Sequence, residues 1–287
     1  MSLHPSFARP RTLDQATEVI SSLSSGAIII AGGQELMPSI NYGVLMPQVY
    51  IDIGQIDALK GITEVDGSIH IGALTVHRDI QDNKIIRSKV PLLACAAAKI
   101  GGGWQVHNRG TIGGNIVSMH PLYDILPSLI ALSAEVEIIK DGQIRRVALS
   151  DIMVDATQGL GSDSLLVRVV LKSTSPGAGW AYEKLKITAG GYGSANAAAI
   201  ITLDGKKIAG LRAVVGAVTE LPLDVSDALS GCRGQVWSDR LSEEVEAKAS
   251  AAVKVPLSDH QGDGDWRKAM AGVMARRAIE AAIRRVG

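Results

Sequence analysis

The amino-acid sequence predicts an α+β fold that is divided into more than one domain. Its 287 residues correspond to roughly two domains of average size. The first fifty-odd residues have the pattern of a small β/α unit, whereas the final third shows strands followed by helices, the order typical of an α+β domain. Apolar residues make up 46% of the chain, which is enough for a sizeable core.

The N-terminal segment combines one helix with two short strands. Residues Thr12–Ser22 carry apolar side chains at helical spacing. The apolar run Ala27–Ile30 predicts a buried strand that ends in the pair Gly32-Gly33, and Val49–Ile53 predicts a second strand. A strand, a glycine turn, a helix and a strand in this order indicate parallel pairing.

The middle third mixes strands and helices. Thr75 is a candidate cap for a polar helix that runs to about Lys89, and Pro91 predicts the start of an apolar helix. That helix ends at Gly101-Gly102-Gly103, which we interpret as a helix terminator only. The other predicted elements are a helix over Leu126–Ala134 and strands over Ser68–Ile71, Val136–Ile139, Arg145–Leu149 and Leu165–Leu171.

The final third predicts three strands and then two helices. The loop Ser173–Gly177, which contains a proline and a glycine, is the best candidate for a domain boundary before it. The predicted strands are Trp180–Ile187, Ala198–Leu203 and Leu211–Val218, and the predicted helices are Arg240–Val253 and Arg267–Val286.

The composition excludes several classes of function. The 29 basic residues equal the 29 acidic ones, which argues against a nucleic-acid binder, and aromatic residues at 3% are too few for base-stacking platforms. Neither a signal peptide nor an apolar stretch long enough for a membrane span is present, so we expect a soluble, cytoplasmic protein.

Cysteine and histidine are too few and too scattered for a metal centre. The two cysteines, Cys95 and Cys232, share no C-x-x-C spacing, and the six histidines form no ligand spacing. An iron–sulfur cluster needs about four thiolates, so this chain alone cannot hold one. We therefore predict no metal site within it.

Two glycine-containing segments carry the strongest chemical signal. One is Ile30–Glu35, directly after the first predicted strand, and the other is Arg109–Asn115. Paired glycines allow positive φ and close approach to the backbone, and successive N–H groups in such a turn can bind an anion. We therefore expect two exposed turns that face each other around a pyrophosphate. Neither segment fits the G-x-G-x-x-G or the P-loop pattern.

Each glycine pair by itself is more simply explained as an ordinary turn, because the chain has 31 glycines. The flanking residues change this balance, since they continue the pattern along most of the chain. They are Leu36-Met37-Pro38 after Ala31–Gln34, Gln105-Val106 before Asn108–Asn115, Pro121 with Asp124–Pro127, Trp180–Lys186 with Gly190 and Tyr192, and Asp263–Arg267 with Met270–Gly272 and Arg276–Ala278.

In these motifs the sequence resembles the FAD-binding medium subunits of the molybdenum hydroxylase (xanthine oxidase) family, in particular its carbon monoxide dehydrogenase branch. The resemblance implies a two-part FAD-binding domain of the vanillyl-alcohol-oxidase-like (PCMH) type and a C-terminal α+β domain of the CO dehydrogenase flavoprotein type. The corresponding limits are 1–55 and 56–175 for the two FAD-binding lobes and 176–287 for the C-terminal domain.

The resemblance also implies where FAD binds. Asp124 would accept hydrogen bonds from the adenosine end, although it is also placed to cap the helix that follows it. Tyr192 and Lys184 would lie near the isoalloxazine ring, and the lysine would favour an anionic reduced flavin; a packed tyrosine and a solvated lysine are the structural alternatives. The pyrophosphate would lie among Ala31, Gly32, Gly33 and Gln34 of the first loop and Thr111, Ile112, Gly113, Gly114 and Asn115 of the second, and Ile30, Glu35 and Leu36 would also contact the cofactor.

Three residues depart from the family pattern. Glu35 replaces a small hydroxyl residue, and a carboxylate there repels a pyrophosphate unless it turns away. Gly191 replaces an acidic residue that the family often has, which removes one flavin contact, and His107 replaces an arginine.

As a member of such a complex, the chain would work with two partners: a large subunit with the molybdopterin cofactor and a small subunit with two [2Fe–2S] clusters, in a dimer of heterotrimers. FAD in this chain would take electrons from the clusters and pass them to an acceptor. Two alternatives stay open, a stand-alone FAD-dependent oxidase or reductase of the same fold, and a scaffold that has lost the flavin.

Overall fold

The computed structural model describes residues 5–22, 26–154, 160–161 and 163–287, and three sheets follow one another along this part of the chain. The predicted domain limits at 55/56 and 175/176 fall between these sheets, and they stay a prediction. None of the helices in the described ranges is both long and apolar enough to cross a bilayer.

The N-terminal sheet is parallel, as predicted. Its strands are β1 (Ser6–Ala8), β2 (Ala27–Ile30) and β3 (Val49–Asp52), in the order β1-β3-β2. Helix α1 (Leu13–Ser22) connects the first two strands, and the short helix α2 (Leu36–Asn41) lies between β2 and β3. This β/α unit places the end of β2, and with it the first glycine loop, in the wall of a cleft.

The central sheet has five antiparallel strands in the order β4-β5-β8-β6-β7. Between the second and third of these strands in chain order, the chain forms a layer of helices. The strands are β4 (Ile62–Val65), β5 (Ser68–Gly72), β6 (Glu135–Lys140), β7 (Gln143–Ala148) and β8 (Ser164–Lys172). The helices are α3 (His77–Asp82), α4 (Lys84–Lys89), α5 (Pro91–Ala98), α6 (Gly103–Arg109), α7 (Ile112–Ser118), α8 (Ile125–Ala131) and α9 (Leu149–Ile152), with a short 3₁₀ helix at Asp57–Leu59 before β4.

The prediction of a single polar helix after Thr75 is wrong, because the chain forms two helices there. Asn83 ends α3 and caps α4, since its side-chain oxygen accepts hydrogen bonds from the backbone N–H groups of Ile85 and Ile86 at 2.8 and 3.2 Å. Thr75 caps no helix. Its hydroxyl donates to the carbonyl of Gly61 instead, at 3.0 Å.

The C-terminal sheet is antiparallel and has helices on one face. Its strands β9 (Gly179–Leu185), β10 (Ala195–Asp204), β11 (Lys207–Gly216) and β12 (Leu223–Asp224) lie in the order β12-β11-β10-β9. Helices α10 (Asp239–Ala252) and α11 (Gly264–Ile283) follow, after a 3₁₀ turn at Ser230–Cys232. The predicted strands and helices of the final third are thus confirmed, with ends shifted by a few residues.

Strand β10 is buried on both faces, which explains its nearly continuous apolar sequence. Ala197, Ala199 and Ile201 pack in the core under α10 and α11, whereas Ala198 and Ile200 face the core shared with the central part. Alternate residues of a strand point to opposite faces, so small alanines allow layers on both sides to come close. The C-terminal sheet therefore joins its own helices to the helical layer of the cleft.

Arg267 of α11 holds the segment that follows the cleft loop 186–193. It is fully buried, and its guanidinium donates to the carbonyls of Ser194, at 2.8 Å, and Ala217. It also forms an ion pair with Asp259 at 2.5 Å. A buried guanidinium with these partners determines where the chain leaves the cleft loop and enters β10.

We predict that Arg267→Met lowers the free energy of unfolding by about 3 kcal/mol, because it leaves two buried carbonyls and a carboxylate without their donor. Denaturant titration followed by circular dichroism measures the loss. Arg277→Met, at an exposed position of the same helix, is the control and should change little. Equal midpoints for the two variants would contradict this role of Arg267.

Candidate functional site

One cleft collects residues from all three parts of the molecule, each part being named by the sheet it contains. Its volume is about 490 Å³, within the range of small-molecule sites. The N-terminal part supplies the first glycine loop, the central part supplies the segment after α5 and the start of α7, and the C-terminal part supplies the loop Gly190–Tyr192. The cleft is therefore built only when the three parts pack together.

The two glycine loops touch each other through their backbones. A Cβ atom on Gly32 would lie 1.9 Å from the carbonyl oxygen of Arg109, so only glycine fits at this contact. Gly33, which follows, has φ of +71°, a conformation that other residues rarely adopt. Contact and backbone conformation together explain the glycine pair in the first loop.

The first loop leaves hydrogen-bond donors free. Among the hydrogen bonds of the described residues, the backbone N–H groups of Gly32, Gly33 and Gln34 donate none. They border the cleft, and successive free N–H groups of this kind bind phosphate or carboxylate oxygens. The first loop thus fits the pyrophosphate of a dinucleotide.

The second loop is partly different from the prediction. Gly113 and Gly114 do not form an exposed turn with positive φ, because they lie inside α7. Thr111 caps this helix by accepting a hydrogen bond from the Gly114 N–H at 3.1 Å. Gly113 is buried, and it packs so tightly that a Cβ atom there would lie 2.7 Å from Ala73. Gly114 is exposed and lines the cleft.

The triplet Gly101–Gly103 is more than a helix terminator, so that interpretation was wrong. Gly101 and Gly102 line the cleft. The Gly102 N–H donates to the carbonyl of Gly190 at 3.0 Å, and a Cβ atom on Gly101 would lie 2.6 Å from that same oxygen. The triplet thus lets the helical layer and the C-terminal loop meet backbone to backbone.

Three buried polar atoms in the wall have no partner among the described residues. They are the side-chain oxygen of Asn115, Nδ1 of His77 and the hydroxyl of Ser118. Burial lowers the pKa of His77 from 6.5 to about 4, so this imidazole is neutral near pH 7. Buried polar atoms usually have hydrogen-bond partners, so these three fit a ligand that brings its own donors and acceptors.

Asp124 lies in a buried network at the start of α8. Its carboxylate accepts hydrogen bonds from the Tyr182 hydroxyl at 2.6 Å and from the Lys184 ammonium at 2.8 Å, and it makes no capping bond to α8. Burial raises the pKa of Asp124, while Lys184 and Tyr182 oppose that rise. Lys184 also donates to the carbonyl of Lys99 at 3.0 Å, and its side chain is only 2% exposed.

Three aromatic rings stack at the opening of the cleft. The His120 ring lies 4.7 Å from that of Tyr123 and 5.4 Å from that of Tyr192, between centroids. Tyr192 is 46% exposed, so the tyrosine is not a packed core residue. The Tyr123 hydroxyl donates to the Glu35 carboxylate at 2.8 Å, which gives this unusual carboxylate a partner across the cleft.

Most of the predicted site residues line the cleft: Ala31, Gly32, Gly33, Gln34, Glu35, Leu36, Thr111, Gly114, Asn115, Asp124 and Tyr192. Ile30, Ile112, Gly113 and Lys184 do not, because they lie in or behind its wall. Sequence reasoning missed His77, Ile100 and Tyr123. His77 reaches the cleft because its backbone N–H pairs with the carbonyl of Gly110, a contact that has no local sequence signal.

Comparison with known proteins agrees with this architecture. Residues 3–171 match the family described as "FAD binding domain in molybdopterin dehydrogenase", and residues 180–282 match the "CO dehydrogenase flavoprotein C-terminal domain". The chain is 34% identical to the carbon monoxide dehydrogenase medium chain of Hydrogenophaga pseudoflava, over 96% of both chains. It is 30% identical to the glyceraldehyde dehydrogenase medium chain of Sulfolobus acidocaldarius, over 96% of this chain and 97% of the relative. A solved carbon monoxide dehydrogenase from Hydrogenophaga pseudoflava contains a chain that superposes with a TM-score of 0.95 at 30% identity, with full coverage of both.

We predict that His77 makes the protein less stable in acid. The unfolded chain takes up a proton near pH 6.5, whereas the folded chain resists it until about pH 4, so the free energy of unfolding falls as pH falls through this window. The contribution lost is about 3 kcal/mol. In His77→Gln this part of the pH dependence should be absent.

Urea unfolding between pH 7 and pH 4 measures this difference. His260→Gln, which replaces an exposed histidine, should keep the pH dependence of the parent. If His77→Gln also keeps the pH dependence of the parent, the His77 imidazole takes up its proton in the folded protein as readily as in the unfolded chain. In that case water reaches the cleft wall at this position.

Proposed function

Because the chain belongs to the family of FAD-binding subunits of molybdopterin dehydrogenases, we propose that it binds FAD in this cleft and transfers electrons within a larger oxidoreductase. The observation that supports this most strongly is the backbone contact between the two glycine loops. It brings the free N–H groups of the first loop beside Thr111 and Gly114 in one wall.

In this proposal the two loops hold the pyrophosphate. The N–H groups of Gly32, Gly33 and Gln34 donate to its oxygens, and Gly114 and Asn115 line the cleft beside them. Electrostatics alone do not explain such binding, because no lysine or arginine lines the cleft within the described residues. Backbone donors and shape supply the affinity instead.

The remaining wall suits the other parts of the cofactor. The apolar surface of Ile28, Ile29 and Leu45 fits a ring system, and Tyr192 at the opening offers a flat face beside the flavin. Asp124 borders the cleft with its charge already balanced by Lys184, so we assign it to hydroxyl groups of the cofactor. Lys184 influences the flavin through Asp124 and not by contact.

We further propose that electrons reach this chain from another polypeptide. The relatives that cover nearly the whole chain are named as medium chains, a designation that belongs to multi-subunit enzymes. The two cysteines, Cys95 in α5 and Cys232 in the 3₁₀ turn at Ser230–Cys232, are free thiols on separate elements, and two thiols are fewer than the four or so that an iron–sulfur cluster needs. The expected partners are a small subunit with two [2Fe–2S] clusters and a large molybdopterin subunit, in a cytoplasmic dimer of heterotrimers.

Bound FAD would supply the exchange between single electrons from the clusters and electron pairs for an acceptor. The chain's own residues bind and orient it, and the aromatic rings at the opening limit the access of water. Substrate specificity would belong to the large subunit.

The first prediction of this proposal concerns Gly33. Gly33→Val should abolish FAD binding, because the branched side chain opposes positive φ and enters the phosphate site. Gly142→Val is a matched control, since Gly142 has the same φ of +71° but lies in the β6–β7 turn with nothing within 4 Å of a Cβ atom. FAD occupancy, measured by visible absorbance, should be lost only in Gly33→Val. Equal occupancy in both variants would exclude the first loop as the pyrophosphate site.

The second prediction distinguishes a subunit from a stand-alone enzyme. The isolated chain should show flavin absorbance without iron or molybdenum, and carbon monoxide, aldehydes or N-heterocycles should not bleach it. Adding the small and large subunits should make the substrate of the complex reduce the flavin. Rapid bleaching of the isolated chain by one of these compounds would favour the stand-alone oxidase or reductase, and a colourless chain that binds no added FAD would favour the scaffold.

A further inference from the structure

Glu35 and Tyr123 connect two parts of the molecule across the opening of the cleft. Glu35 directly follows the free N–H groups of the first loop, and Tyr123 precedes α8 in the central part. Their hydrogen bond, 2.8 Å long, joins residues that are 88 positions apart, and both side chains line the cleft. We name this pair the Glu35–Tyr123 latch.

The tyrosine side of the latch is held in place by its neighbours. Its ring stacks on His120, which stacks on Tyr192 of the C-terminal part, so the latch and the stack connect all three parts. Burial, followed by the nearby Glu35 charge, raises the pKa of Tyr123, so its hydroxyl stays protonated and acts as the donor. The position of the Glu35 carboxylate is therefore determined from the other side of the cleft.

The carboxylate side of the latch is the uncompensated charge of the cleft wall. Within the described residues the only carboxylates that line the cleft are Glu35 and Asp124, and Asp124 is paired with Lys184. Glu35 takes part in no ion pair among the described residues. Arg109 of the second loop lines a different cleft, which Gly32, Gly33 and Gln34 also border.

An anionic ligand bound by the first loop would therefore lie beside the negative charge of Glu35. A small hydroxyl residue at position 35 would carry no such charge. Like charges at about 8 Å repel by roughly 1 kcal/mol per pair at the boundary between protein and solvent. The latch limits this cost, because the Tyr123 hydroxyl holds the carboxylate toward the aromatic stack and away from the N–H groups.

We propose that Glu35 determines how tightly this chain holds a diphosphate, and that Tyr123 is a positioning residue that acts through Glu35. This inference rests on the proposed FAD site. The carboxylate weakens binding of the diphosphate, so FAD is held less firmly than the glycine loops alone would allow. Releasing the carboxylate from Tyr123 weakens binding further.

The test is a double-mutant cycle on the full chain with FAD and ADP as probes. Glu35→Gln keeps an acceptor for Tyr123 and removes the charge, so it should tighten binding of both ligands about fivefold in low salt. The gain should largely disappear in 1 M salt, where charges are screened beyond about 3 Å. Tyr123→Phe should weaken binding of both ligands, but it should have no effect in the Glu35→Gln background.

The outcomes separate this proposal from the FAD site itself. Glu18→Gln, on the exposed face of α1, is the charge-matched control and should leave both affinities unchanged. If FAD binds and Glu35→Gln binds it equally or more weakly, the proposal for Glu35 is wrong. If Tyr123→Phe weakens binding equally in both backgrounds, Tyr123 contacts the ligand and the positioning role is wrong. If no variant binds FAD or ADP, the proposed function fails and the latch proposal with it.

Discussion

The contact between Gly32 and the backbone of Arg109 is the constraint on which the rest of the site depends. No side chain fits there, since a Cβ atom would lie 1.9 Å from the Arg109 oxygen. The loop after β2 and the end of α6 must therefore meet with their backbones alone. This contact sets the distance between the N-terminal and central parts, and it directs the free N–H groups of the first loop into the cleft.

A second constraint attaches the C-terminal part. Asp124, Lys184 and Tyr182 form a buried network between α8 and β9, and Lys99 binds the Tyr182 carbonyl at 2.6 Å. Buried ion pairs add little net stability, but removing one partner leaves a buried charge at a cost of about 3–5 kcal/mol. Such a network therefore favours one arrangement of the central and C-terminal parts over others. A site that is shared between all three parts requires such a fixed arrangement.

The wall of the cleft offers neutral groups more than charged ones. Its wall offers free backbone N–H groups, the neutral imidazole of His77 and apolar side chains, and its unbalanced charge is that of Glu35. A cofactor held in this way depends on shape and on a closed opening more than on ionic attraction. The stacked rings of Tyr123, His120 and Tyr192 are placed to provide that closure.

The sequence by itself determined the elements with strong local patterns and the family. The apolar run of β2, the helical spacing of α1 and the strands and helices of the final third were predictable, because propensity and periodicity act between near neighbours. Tertiary structure alone decided that the Gly101–Gly103 triplet contacts Gly190 and that the Tyr123 hydroxyl binds the Glu35 carboxylate. It also decided that Lys184 forms an ion pair with Asp124 and does not line the cleft. These contacts join residues 60 to 88 positions apart, or backbone to backbone, and such contacts leave no periodic trace in a single sequence because they form only when separate elements pack.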